Sequence, residues 1–182
     1  MALLGWNPGG DREKLSLDEM IELFKIEDIN TANPIFDQTK LEWLNGVWIR
    51  TIKDLDKRLE GFYTYKDDKE VLEVLKEKSA REIVKAASSR MKTLLDFRKL
   101  VSKNPSRDKT SKEKEIAKKL LMFLNEKLND KWDDENLLNA IKQFSTKEDI
   151  SFKTIFFLMT GKESGIGILE LNQIYGKDFF VK

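Results

Sequence analysis

Apolar residues recur along almost the whole chain at intervals of three and four rather than two, which predicts helices and no sheet. Leu17, Met20, Ile21, Leu23 and Phe24 form the first such face, behind Ser16 and Glu19 at the spacing of a capping box. Asn33 and Pro34 break the pattern. Asp37 then stands where an N-cap belongs, ahead of a helix that carries Leu41 and Leu44 and is expected to end at Gly46. Thr51, Asp54, Leu55, Arg58 and Leu59 predict a short helix ending at Gly61. From Asp67 or Asp68 to about Ser102 the pattern continues through Val71, Leu75, Ile83, Val84, Ala87, Met91 and Leu94. With one interruption, it predicts two helices.

The polar run Asn104-Pro105-Ser106-Arg107-Asp108-Lys109-Thr110-Ser111 is the best linker in the sequence, and a boundary is expected there. Beyond it, Thr110 with Glu113 caps a helix bearing Ile116, Leu120, Leu124 and Leu128. Asp133 or Asp134 caps another, with Leu137, Ile141 and Phe144 on its face. Ser145 with Glu148 is expected to cap a third, through Ile155 and Phe156 to Gly161, and a last helix follows Gly167. The predicted fold is all-α, a multi-helix bundle.

Composition narrows the chemistry. The 182 residues include no Cys and no His, so no disulfide, Cys/His zinc site, thiol nucleophile or imidazole base can be built. The run Ile155 to Met159 is far short of the roughly 20 apolar residues of a membrane span. A cytosolic protein with no membrane partner is expected. Charged residues make up 36%, above the roughly 25% of ordinary globular domains, yet the net charge is only +1.

That near-neutral total hides a segregation. Residues 76 to 114 carry 13 basic and 5 acidic side chains, so this stretch holds all the excess positive charge. Such a run reads either as a phosphate-facing surface or as a solvated helix face. Arg90, Arg98, Lys99 and Lys103 lie in it, spaced so that at least two share a face. Gly165-Ile166-Gly167 lacks a third Gly and a preceding strand, so it reads as a turn between helices, as does Asn7-Pro8-Gly9-Gly10. Trp6, Trp43, Trp48 and Trp132 read as core or half-buried residues at helix ends, with base stacking as the alternative.

Ordered motifs add a resemblance. Ala-Leu-Leu-Gly-Trp-Asn-Pro at 2 to 8, Leu-Ser-Leu-Asp-Glu-Met-Ile-Glu-Leu-Phe at 15 to 24, and Pro34-x-Phe36-Asp37-x-x-Lys40-Leu41-x-Trp43-Leu44-Asn45-Gly46 with Ile49-Arg50 resemble the bacterial-type glutamyl-tRNA synthetases, just downstream of their catalytic core. Arg90-Met-Lys-Thr93-Leu94 resembles that family's anticodon-binding region, and Met159-Thr160-Gly161 with Tyr175-Gly176-Lys177 its closing segments. The family's His-x-Gly-His and Lys-Met-Ser-Lys type motifs are missing. The resemblance therefore implies a C-terminal fragment that binds tRNA and catalyses nothing alone, the parent using ATP and magnesium elsewhere.

It also implies a layout. Residues 1–50 would end a stem-contact fold, and 51–102 and 103–182 would be two helical subdomains of an anticodon-binding cage. Arg90 and Thr93 would read the third anticodon base, and Lys40 and Arg50 would meet phosphates. The basic stretch with Arg98, Lys99 and Lys103 would border the anticodon stem. Gly165, Ile166, Gly167 and Ile168 would form a loop against which a base packs. The implied partners are the tRNA for glutamate and the parent's catalytic domain, in a monomer. Phe156 stands where the family commonly has Arg, and Ile166 where it has Pro. A different class of function, a stand-alone helical module for a protein partner, would use the same scaffold with binding indifferent to the anticodon.

Overall fold

The structure is a computed structural model that describes residues 5–10, 12–30, 35–129 and 131–180. The expected break at Asn33 and Pro34, and residues 2–4 of the first motif, lie outside the described residues. Ten α-helices occur among those described: α1 (Leu17–Leu23), α2 (Gln38–Ile49), α3 (Leu55–Tyr65), α4 (Lys69–Leu75), α5 (Ala80–Ser88), α6 (Leu95–Val101), α7 (Ser111–Leu128), α8 (Asp134–Glu148), α9 (Phe152–Thr160) and α10 (Ile168–Tyr175). The described residues hold no strand, only an isolated antiparallel bridge between Trp6 and Ile29. The all-α reading holds.

The caps explain most of the starts. Ser16 with Glu19 and Thr110 with Glu113 each form a complete capping box. Asp37 and Asp133 accept from the backbone N–H of Lys40 and Asn136, as their positions predicted. Four boundaries differ from expectation. Helix α2 continues past Gly46 to Ile49, because Ile49 is buried and extends the apolar face. Helix α3 continues through Gly61 to Tyr65, since burying Tyr63 outweighs the modest helix penalty of one Gly. The long pattern after Asp68 makes three helices, broken at 76–79 and again at 89–94. Ser145 lies inside α8 with its hydroxyl on the Ile150 carbonyl at 2.6 Å, and Ser151 caps α9 instead.

Helices α3 to α6 pack on one another, as do α7, α8 and α9, and α10 touches both α5 and α8. Buried residues on both sides of residue 103 belong to one continuous core, including Leu59, Ile83 and Phe97 on one side and Leu124, Leu137 and Ile155 on the other. Against the expectation of core or half-buried positions, Trp6 is buried, Trp132 is half-buried against this core, and Trp43 and Trp48 are the more open pair at 49% and 38% exposed. Their α2 is amphipathic only weakly. It presents its small residue, Gly46, to the body of the fold and leaves the indoles outside.

Candidate nucleic-acid interface

The segment between α5 and α6 carries Arg90 and is held from four directions. A Cβ at Gly46 would lie 2.9 Å from the Met91 carbonyl, so only glycine lets α2 come this close. Beside it, the Asn45 amide donates to the Lys92 carbonyl. The Asp96 carboxylate accepts the Lys92 N–H at 3.0 Å and the Thr93 N–H at 2.8 Å. Burial works against its charge, but these N–H groups still hold the carboxyl below its usual range. The buried Tyr63 hydroxyl donates to the Leu94 carbonyl at 2.8 Å and accepts the Arg98 N–H at 3.0 Å.

So fixed, Arg90 reaches α10. Its guanidinium donates to the Ala86 carbonyl at 3.1 Å, the Ser89 hydroxyl at 3.1 Å and the Glu170 carboxylate at 2.9 Å. Of its five N–H donors, the protein uses these three. The remaining two are the number a bidentate contact with a base edge needs. A Cβ at Gly167 would lie 2.0 Å from the Glu170 carboxylate and 3.0 Å from the guanidinium, so the loop is pared to backbone where Arg90 meets it. Gly165 and Ile166 line a cavity of about 490 Å³ together with Lys103, Phe156, Lys162 and Tyr175. The loop thus meets Arg90 at Gly167 and shares a cavity with Lys103 at Gly165 and Ile166.

The other candidates are placed differently. Ile166 is 4% exposed and belongs to the core. The Thr93 hydroxyl is engaged with Asp96 at 3.2 Å. Arg98 pairs with Asp68 and, at 3.4 Å, with Glu70. Lys99 is 80% exposed and only 3.8 Å from Asp96. Lys40 pairs with Glu13 at 2.6 Å, and that hydrogen bond pushes its pKa up. Arg50 lies apart, in a second concavity with Arg81 and Lys85. Sequence reasoning gave no role at the site to Glu170, Asp96 or Asn45. The first two sit three residues after Gly167 and Thr93, a spacing that marks a side chain folding back on a helix start.

The linker also proves tightly bound. Pro105 packs on Gly161, which adopts a left-handed φ of 72° as the C-cap of α9. Ser106 donates to the Gly161 carbonyl at 2.8 Å, and the Lys109 ammonium to the Leu158 carbonyl at 2.6 Å, satisfying an end of α9. Arg107 stacks on Phe157 at 4.1 Å and forks onto Glu113 at 2.7 and 2.9 Å. That fork and the Thr110 N–H hold the Glu113 carboxyl down at about 2.

Comparison with known proteins assigns this arrangement to a class. The family model described as the anticodon binding domain matches residues 52–182, and the chain belongs to that family. The curated relatives that it matches are glutamate–tRNA ligases. The chain is 32% identical over 196 residues to the glutamate–tRNA ligase of Sulfurihydrogenibium sp. strain YO3AOP1, covering 97% of this chain and 39% of that protein. It is 31% identical over 195 residues to that of Clostridium botulinum strain Hall, covering 98% and 39%. The chain therefore spans about two fifths of the length of these relatives. Among solved structures, the glutamate-tRNA synthetase of Elizabethkingia anophelis superposes with a TM-score of 0.68 at 18% identity, over 99% of this chain and 37% of that one. The glutamate tRNA ligase of Elizabethkingia meningosepticum gives 0.69 at 19%, over 99% and 38%. At these identities the likeness speaks for the fold.

Proposed function

We propose that this chain binds the tRNA for glutamate at its anticodon, as the recognition part of a glutamate–tRNA ligase. The observation that carries the reading is the meeting of Arg90 with the 165–168 loop, with two guanidinium donors left over. A planar fork with two free donors suits a base edge, and a glycine loop suits the flat face of an unstacked base. Residues 51–102 and 103–182 act as the two halves of the cage, and 1–50 as the end of the stem-contact fold.

The parent reaction, attachment of glutamate to tRNA with ATP and magnesium, takes place in the catalytic domain outside this chain. Among the described residues no group of three or more His, Cys, Asp or Glu side chains could hold a metal ion. The chain supplies binding energy that positions the acceptor end for distant chemistry. It works as a monomer in the cytoplasm, and no helix among the described residues is long and apolar enough to cross a membrane. The test is equilibrium binding of the purified chain to glutamate tRNA and to the same tRNA with its third anticodon base changed. Tighter binding of the unaltered tRNA is expected; equal binding of the two would reject anticodon reading.

A further inference from the structure

Glu170, in the first turn of α10, meets Arg90 across 80 residues of chain and does so with one oxygen only. Its Oε1 accepts from the guanidinium at 2.9 Å, while Oε2 has no hydrogen bond or ion pair among the described residues. The two side chains are 35% and 38% exposed, and a pair this open adds little to stability. The free oxygen nevertheless has a fixed place. It folds back over Gly167: the point where a Cβ would stand on that glycine is 2.0 Å from Oε2 and 3.0 Å from the Arg90 Nη2. A free acceptor, a guanidinium with two spare donors and a stretch of bare backbone therefore lie side by side.

We propose that Glu170 is a specificity-determining residue of the anticodon site, its Oε2 accepting a hydrogen bond from the exocyclic amino group of the third anticodon base. This role rests on the reading that Arg90 faces that base, and adds to it the group that senses the amino substituent. Two spare donors on Arg90 followed by an acceptor on Glu170 make an edge of the order donor, donor, acceptor. Cytosine presents the complement on its Watson–Crick edge: O2 and N3 accept, and the N4 amino group donates. Uracil has a donor at N3 and an acceptor at O4, so an N–H meets the guanidinium and a carbonyl meets the carboxylate. Guanine places its N1 donor beside its O6 acceptor and so sets an N–H against the fork. Glutamate codons begin with guanine, which puts cytosine at this position of the tRNA. A carboxylate accepting from the cytosine amino group is the contact expected of a glutamate at that base. Gly167 belongs to the same device, since a side chain there would take the place of the carboxylate.

The test compares glutamate tRNA carrying cytosine at the third anticodon position with the same tRNA carrying 2-pyrimidinone, which keeps O2 and N3 and lacks only the amino group. A third tRNA carries guanine there. The full wild-type chain and its Glu170→Gln variant are titrated with each; with its oxygen kept on Arg90, the glutamine turns an amide N–H towards the base. The wild-type chain should bind the cytosine tRNA about 10- to 100-fold more tightly than the 2-pyrimidinone tRNA, and Glu170→Gln should bring that ratio to about one or below. Thermal unfolding checks that the variant remains folded, and the wild-type comparison reads the contact independently of it. A wild-type chain that separates cytosine from guanine but binds the 2-pyrimidinone tRNA as tightly as the cytosine one overturns the role of Glu170 and leaves the anticodon reading standing. A variant that binds both tRNAs more weakly at the wild-type ratio also overturns it, making Glu170 a clamp on Arg90. Equal wild-type binding of all three tRNAs overturns the anticodon reading and this role with it.

Discussion

The strap around residues 98–113 and the corner formed by α2, α3 and α5 are built from the same residue types and use them oppositely. In the strap, Arg98 closes on Asp68 and Glu70, Arg107 on Glu113 and Glu163, and Lys109 on a helix-end carbonyl. In the corner, Arg50, Lys53 and Lys85 point at a concavity with no such closure among the described residues. Net charge per segment cannot separate these cases. What separates them is where the carboxylates arrive, and five of those that close on Arg90, Lys92, Arg98 and Arg107 come from outside residues 76–114.

The comparison predicts that stability lives on the side of the strap and hardly at all in the corner. The largest effect should follow from Phe97→Ala, since Phe97 is fully buried with its ring against Tyr63; a loss of about 3–5 kcal/mol in denaturant unfolding is expected. Next comes Gly46→Ala. Alanine favours helix, but its Cβ must push the Met91 carbonyl backbone, so a net loss of about 1–3 kcal/mol is expected, with weaker tRNA binding through the displaced Arg90. Truncations in the corner, Arg50→Ala or Lys85→Ala, should stay within about 0.5 kcal/mol of wild type in the same measurement.

Acid should probe the strap alone. The folded pKa of Glu113, about 2, lies below its ordinary value of 4.5, so its contribution is complete above pH 4.5 and is lost as pH falls from there towards 2. The thermal midpoint of the wild-type chain should therefore drop more across that window than that of Arg107→Ala. Alkali probes the cavity beside the loop. Burial first, and then the Glu77 carboxylate, pushes the Tyr175 hydroxyl up to about 12. That raised value contributes stability below pH 10 and loses it as pH climbs towards 12. Tyr175→Phe should remove this alkaline dependence, the smallest effect of the series.

Much of this was legible beforehand because it is local. The capping boxes at Ser16 and Thr110 and the caps at Asp37 and Asp133 depend on side chains reaching three residues along the chain, and the sequence displays them directly. The errors arose where distant packing decides. Gly46 and Gly61 looked like helix ends, but one is a contact surface for Met91 and the other is carried through by Tyr63. At the site, Arg90 and the 165–168 loop came from motif resemblance, whereas Glu170, Asp96 and the corner formed with Lys53 and Lys85 became visible only when the chain closed on itself. The linker at 104–111 was found as a polar, Pro-bearing run. Its attachment to α9 was not, since nothing local announces a lysine that will meet a carbonyl 49 residues away.

Anticodon reading by Arg90 is the central claim, and a two-by-two binding experiment tests it most directly. Wild type and Arg90→Ala are each titrated with glutamate tRNA and with that tRNA altered at the third anticodon base. The account predicts that the substitution costs about 1–3 kcal/mol, roughly 5- to 150-fold, on the unaltered tRNA and close to nothing on the altered one. Equal weakening on both would contradict it and leave Arg90 as a clamp between α5 and α10.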